Sequence, residues 1–140
     1  MKVFFDTNVL ASGIATRGLC CELLENVLSQ HDLLTCEPVL QELNRVLADK
    51  FHLPASVIRD FLGLLKTEGR IVKAHNKLKL PINDTNDMLI LACVTAAQAD
   101  VFVTGDKELL ELGDIQNIPI LSPRQFWLIL AGPKNPDKPE

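Results

Sequence analysis

A chain of 140 residues with 47% hydrophobic and 23% charged side chains has the balance of one globular domain, long enough to bury a real core. Its longest apolar runs, Met88 to Val94 and Phe126 to Ala131, fall far short of the roughly 18 residues of a membrane span, and Asp6 interrupts any apolar leader, so neither a spanning helix nor a signal peptide is expected. A net charge of −4 argues against holding nucleic acid by bulk positive charge, and Cys20, Cys21, Cys36 and Cys93 lack C-x-x-C spacing, as expected of reduced, buried thiols in a cytoplasmic protein.

The start, Lys2-Val3-Phe4-Phe5-Asp6, reads as a buried strand that stops at a carboxylate. In a parallel α/β sheet this places Asp6 in the crevice at the carboxyl end of the strands. Asn8 is expected to cap a helix beginning at Val9, loosened by Gly13 and Gly18, whose apolar spacing resumes at Leu19-Cys20, Leu23-Leu24 and Val27-Leu28. Asp32 to Cys36 is a short second strand. Pro38 fits the first turn of a helix with Val39, Leu40, Leu43, Val46 and Leu47 as its stripe. Pro54 opens the next helix, Gly69 closes it, and Arg70 to Lys73 is a third strand.

Ala74 to Asn83 is loop-like. Asp84-Thr85-Asn86-Asp87 then leads into Met88 to Val94, apolar on all sides like a helix packed deep against a sheet. Val101 to Val103 is the fourth strand and Asp106 to Leu112 a short helix. Ile118 to Leu121 is a fifth strand that Pro119 restricts to the sheet edge. Ser122-Pro123 starts a last helix to Leu130. The domain is expected over residues 1–131, with 132–140 a proline-bearing disordered tail. Strands alternating with helices imply a three-layer α/β/α domain around a central parallel sheet of about five strands.

Asp106, after Val103-Thr104-Gly105, repeats the arrangement of Asp6, and each alone also reads as a helix cap. On neighbouring parallel strands, about 4.8 Å apart, their carboxylates would nearly touch. Glu42 falls within the apolar stripe between Val39 and Val46, so it is either at the rim, paired with Arg45, or holds a ligand. Asp84 and Asp87 resemble a capping box, which we resolve with Asp84 as the cap and Asp87 as a site residue. Like charges about 4 Å apart repel by roughly 4 kcal/mol at an effective dielectric of about 20, against a folding margin of about 5–15 kcal/mol. Gathered in one crevice, Asp6, Glu42, Asp87 and Asp106 require protonation, separation or cations, and an oxygen-only donor set suits Mg²⁺ or Mn²⁺. His31, His52 and His75 have no metal-ligand spacing and read as surface or loop residues. The cations from Lys66 to Lys79 (Lys66, Arg70, Lys73, Lys77 and Lys79, against Glu68) read as a solvated face or as a phosphate-contacting edge.

Four segments in order resemble the PIN-domain nuclease family, from Lys2 to about Leu130. They are Phe5-Asp6-Thr7-Asn8-Val9-Leu10, Glu42 within Val39 to Leu43, Asp84-Thr85-Asn86-Asp87 running into Leu89-Ile90-Leu91-Ala92, and Val103-Thr104-Gly105-Asp106-Lys107-Glu108-Leu109-Leu110. The ending Ile120-Leu121-Ser122-Pro123-Arg124-Gln125-Phe126 is similar to the branch that holds toxin components of bacterial or archaeal toxin–antitoxin pairs. The resemblance implies an endoribonuclease dependent on Mg²⁺ or Mn²⁺, often homodimeric and often held by an antitoxin protein. Asp6, Glu42, Asp87 and Asp106 match the family's metal site, with Thr104 supporting it and Asn8 beside it. The chemistry expected is activation of water by one or two metals for in-line attack on RNA, Thr104 and Asn8 orienting ligands or water. A haloacid-dehalogenase-like phosphatase also places Asp after its first strand, but needs a second Asp where this chain has Asn8, and a receiver domain would need a lysine-bearing strand end. A PIN-like module that binds RNA or a partner with little turnover is the non-enzyme alternative.

Overall fold

A computed structural model describes residues 1–74 and 85–132. The first half comprises β1 (Lys2–Phe5), α1 (Thr7–Ala15), α2 (Leu19–Gln30), β2 (Asp32–Cys36), α3 (Glu37–Asp49) and α4 (Ala55–Glu68). There follow β3 (Arg70–Val72), α5 (Thr85–Ala96), β4 (Val101–Val103), α6 (Lys107–Leu112), β5 (Asp114–Ile115), β6 (Ile118–Leu121) and α7 (Pro123–Ala131). The strands form one sheet in the order β3-β2-β1-β4-β6-β5, parallel except for the β5–β6 pair. Helices flank this mostly parallel sheet, as the alternation of elements implies. The expected loop over 75–83, the Asp84 cap, His75, Lys77, Lys79 and the tail over 133–140 lie outside the described residues.

β1 is central and buried on both faces, which is why it reads as an unbroken apolar run. Successive strand residues point to opposite sides. Phe4 meets Phe102 of β4 edge-on at 5.9 Å between ring centroids, while Phe5 meets Phe126 of α7 at 6.2 Å. The chain leaves β1 for β2 on one side and returns as β4 on the other, so the strand order reverses between β1 and β4. In open parallel sheets that reversal opens the crevice where ligands bind.

Three expectations differ from the structure. Helix α1 starts at Thr7, ahead of Val9, because Asp6 rather than Asn8 is its cap: Asp6 Oδ1 accepts the Thr7 N–H at 2.8 Å. Gly18, at φ 152°, splits the expected loosened helix into α1 and α2. β6 is not the edge strand, because β5 pairs with it through a two-residue turn, Gln116-Asn117, whose positive φ values (47° and 69°) match a hairpin turn of mirror-image type. Pro119 is tolerated there because pairing to β4 begins only at Ile120, so its missing N–H removes no bond from that ladder.

Among the described residues, no helix is long and apolar enough to cross a membrane. All four cysteines are free; Cys36 and Cys93 are buried, but Cys20 and Cys21 only half so.

The two glycines of the α4 region predict opposite responses to one methyl group. Gly63 has open space where a side chain would go, whereas a Cβ on Gly69 would come within 2.6 Å of the Leu65 carbonyl oxygen. Gly63→Ala is expected to raise the unfolding free energy by about 0.5–1 kcal/mol. Gly69→Ala is expected to lower it by about 1–3 kcal/mol, both read from urea midpoints.

Candidate active site

β1 and β4 run parallel in a register that pairs Phe5 with Val103, so the next residues, Asp6 and Thr104, leave the sheet side by side. Both are buried, Asp6 at 6% exposure and Thr104 at 0%. The Thr104 hydroxyl donates to Asp6 Oδ2 at 2.7 Å, and its oxygen accepts the Asp106 N–H at 3.1 Å. A short relay therefore runs from the Asp106 backbone through Thr104 to the Asp6 carboxylate. Asp106 itself is exposed, and its Oδ1 accepts the N–H groups of Glu108 and Leu109 at the start of α6. The two strand-end aspartates are thus neighbours linked through Thr104, each capping the helix that follows it.

Glu42 and Asp87 approach from helices. Glu42 is half-buried in the second turn of α3, and Asn86 Nδ2 donates to its Oε2. Asn86 and Asp87 are successive residues in the first turn of α5, so the helix that brings Asn86 to Glu42 carries Asp87 with it. Asn8 is exposed one position after Thr7 in α1.

Two residues near these acids had no role in the sequence reading. Asn86 is a direct partner of Glu42, and the signal for it was present: a polar Asn before an otherwise apolar helix. Thr7 is fully buried, and its hydroxyl has no partner at ordinary hydrogen-bond geometry. A threonine between Asp6 and Asn8 gave no hint of that burial.

Burial raises the Glu42 carboxyl above the usual glutamate range, and the nearby charge of Asp6 raises it further. Arg45, one turn on, opposes this, as do Asn86 and the Thr7 hydroxyl, but only in part. Asp6 and Glu42 therefore share one electrostatic environment in which negative charge is not fully compensated. Among the described residues no three Asp, Glu, His or Cys side chains come close enough together to enclose a metal ion. The donor set nevertheless fits a hard divalent cation in kind: carboxylate oxygens, with a charge at Glu42 that its neighbours offset only in part.

A family model of the PIN domain matches residues 2–108. No curated protein matches the sequence. Among solved structures, the chain is similar to one in the crystal structure of VapBC2 from Rickettsia felis bound to a DNA fragment from their promoter, with a TM-score of 0.63 and 18% identity over 87% of this chain and 98% of that one. VapBC-1 from nontypeable Haemophilus influenzae gives a TM-score of 0.61 and 16% identity, covering 89% and 99%. VapC20 from Mycobacterium tuberculosis, a Sarcin-Ricin loop cleaving toxin, gives 0.57 and 18% identity, covering 84% and 99%. These structures share the fold, and the match over residues 2–108 makes this chain a member of the PIN-domain nuclease family.

Proposed function

We propose that this protein is a cytoplasmic endoribonuclease that uses Mg²⁺ or Mn²⁺ to hydrolyse RNA phosphodiester bonds, and that it is the toxin component of a type II toxin–antitoxin pair, acting as a homodimer and held by an antitoxin. The observation that carries the reading is the pairing of Asp6 and Asp106 through Thr104 at the sheet's switch point, with Glu42 near enough to Asp6 for their charges to interact. Membership of the PIN-domain family supports it, as do folds shared with a Sarcin-Ricin loop cleaving toxin and with VapBC assemblies.

Asp6, Glu42, Asp87 and Asp106 are the residues we assign to hold the cation. When bound, the ion supplies Lewis acidity toward water and the scissile phosphate. The chain's own residues supply position. Thr104 fixes the rotamer of Asp6 by donating to Oδ2. Asn86 does the same for Glu42. Asp106 commits Oδ1 to the start of α6, which leaves Oδ2 for a ligand.

Wild-type protein is expected to cut a mixed RNA pool with Mn²⁺ and to stop on addition of EDTA, while Asp6→Asn and Asp106→Asn cut nothing above background. Parental rates in both variants would sink the assignment. RNA binding without turnover in the wild type would move the chain to the non-enzyme alternative. Thr104→Val keeps shape but removes the donor, so cleavage should fall about 10- to 100-fold. Thr104→Ser should restore most of it; equal losses in both variants would show that the hydroxyl is not the operative feature.

Glu42 also predicts a pH dependence of stability in metal-free buffer. A carboxyl raised in the folded state contributes stability below its unfolded pKa and loses that contribution as pH rises through the folded value. Glu42→Gln keeps an acceptor for Asn86 and removes the charge. In EDTA it should therefore melt on the order of 1–2 °C above the parent at neutral pH, with the difference vanishing below the ordinary glutamate range. Mn²⁺ should stabilise the parent and not the variant; the opposite ordering in thermal melts would refute the charge-strain account.

A further inference from the structure

The four cysteines are free thiols. Cys20 and Cys21 are successive residues of α2, so their side chains project about 100° apart and do not meet. Cys36 and Cys93 are distant in sequence and together in space. Cys36 ends β2 and stands at the cap position of α3, while Cys93 is in the third turn of α5. The Cys36 thiol donates a hydrogen bond to the Cys93 sulfur. Both are buried, at 0% and 4% exposure. Cys93 nevertheless lines a cavity of about 250 Å³, whose other walls include Leu89, Pro38, Val72 and Lys73. A water takes up about 30 Å³ of liquid, so this space admits an oxidant as small as hydrogen peroxide.

The contact between the two sulfurs also divides their roles. The bond from Cys36 holds the Cys93 thiol below the usual cysteine range; burial opposes this and the Ala74 N–H adds to it. The same bond, with burial, pushes the Cys36 thiol up. Thiolate is the nucleophilic form, so Cys93 attacks and Cys36 resolves. The Cys93 sulfur takes one oxygen of the peroxide, the O–O bond breaks, and the hydroxide released picks up the proton that Cys93 had lost. Cys93 is then a sulfenic acid. Cys36 attacks that sulfur, its proton leaves with the hydroxyl as water, and the S–S bond forms. Two thiols have given up two electrons, and one peroxide has become two waters. The bridge would join α5 to the start of α3, the two helices that already meet where Asn86 donates to Glu42. Asn86 lies seven positions before Cys93, nearly two turns along the same helix.

We propose that Cys36 and Cys93 form a reversible redox site, oxidised by hydrogen peroxide to a disulfide that fastens α5 to the junction of β2 and α3, and reduced again by a dithiol. The structure holds the reduced form. Nothing in the proposal depends on the nuclease reading. Its test uses full-length protein carrying Cys20→Ser and Cys21→Ser, which keeps only the buried pair, treated with hydrogen peroxide and then catalase. Thiols titrated in denaturant should fall from two to none, and the mass should drop by two hydrogens. A tryptic digest without reductant should join the peptide holding Cys36 to the one holding Cys93. The melting temperature should rise by on the order of 10 °C and return on addition of dithiothreitol. The parent protein should show the same reversible rise, which guards against a folding defect in the variant. Adding Cys36→Ala should leave Cys93 as a sulfenic acid that dimedone labels on unfolding, whereas adding Cys93→Ala should leave Cys36 unlabelled; the reverse pattern overturns the assignment of roles. Two thiols surviving peroxide, oxygen added at Cys93 with no bridge, or a bridge found only between two chains overturns the site itself. A bridged protein that melts no higher than the reduced one overturns the fastening of α5.

Discussion

The bond from the Thr104 hydroxyl to Asp6 is the interaction on which the acid end of the sheet depends. A carboxylate at 6% exposure has lost most of its water, and a buried acceptor left unpaired costs about 1–3 kcal/mol, more when charged. Asp6 is compensated by an N–H of its own helix on one oxygen and by a hydroxyl from the neighbouring strand on the other. The second partner exists only because β1 and β4 are adjacent, parallel and in the observed register. Sheet order and site geometry are in this sense one constraint: slipping β4 by a single residue would turn Thr104 to the opposite face and leave the carboxylate short of a donor.

Capping and ligand binding are often weighed as rival explanations of an aspartate at a strand–helix junction. Here the capping role of each side chain is carried by one of its oxygens. Asp6 gives Oδ1 to α1, and Asp106 gives Oδ1 to α6. The helix N-terminus favours the negative charge and also locks the side chain, which pre-orients the other oxygen. Glu42 has no helix N-terminus beside it, being interior to α3; its partners are the Asn86 amide, the Thr7 hydroxyl and, through space, Arg45.

Much of this was legible in the sequence, because hydrophobic burial is patterned and the acids break the pattern. β1, β2 and β4 read directly as apolar runs, and α3 and α4 as stripes opened by prolines. Asp6 and Asp106 stood out after strands and Glu42 as an acid in an apolar stripe, while Thr104 came from the family resemblance. What escaped depended on three-dimensional pairing. β5 is two residues long and turns through Gln116-Asn117, which lacks the glycine that marks most such turns. The start of α1 moved because both Asp6 and Asn8 are competent caps, and only burial against β4 selects the first. The bond from Asn86 to Glu42 joins positions 44 residues apart, which no local pattern reports.

The tight turn between β5 and β6 has a practical corollary. β6 runs parallel to β1, so its first residue, Ile118, stands at the pole of the sheet opposite to Asp6. Gln116 and Asn117 are exposed there. A dye, an affinity handle or an inserted peptide anchored between them would project away from the carboxylates and from the α3 face that flanks them, so the molecule comes with an attachment point whose use leaves its chemistry unobstructed.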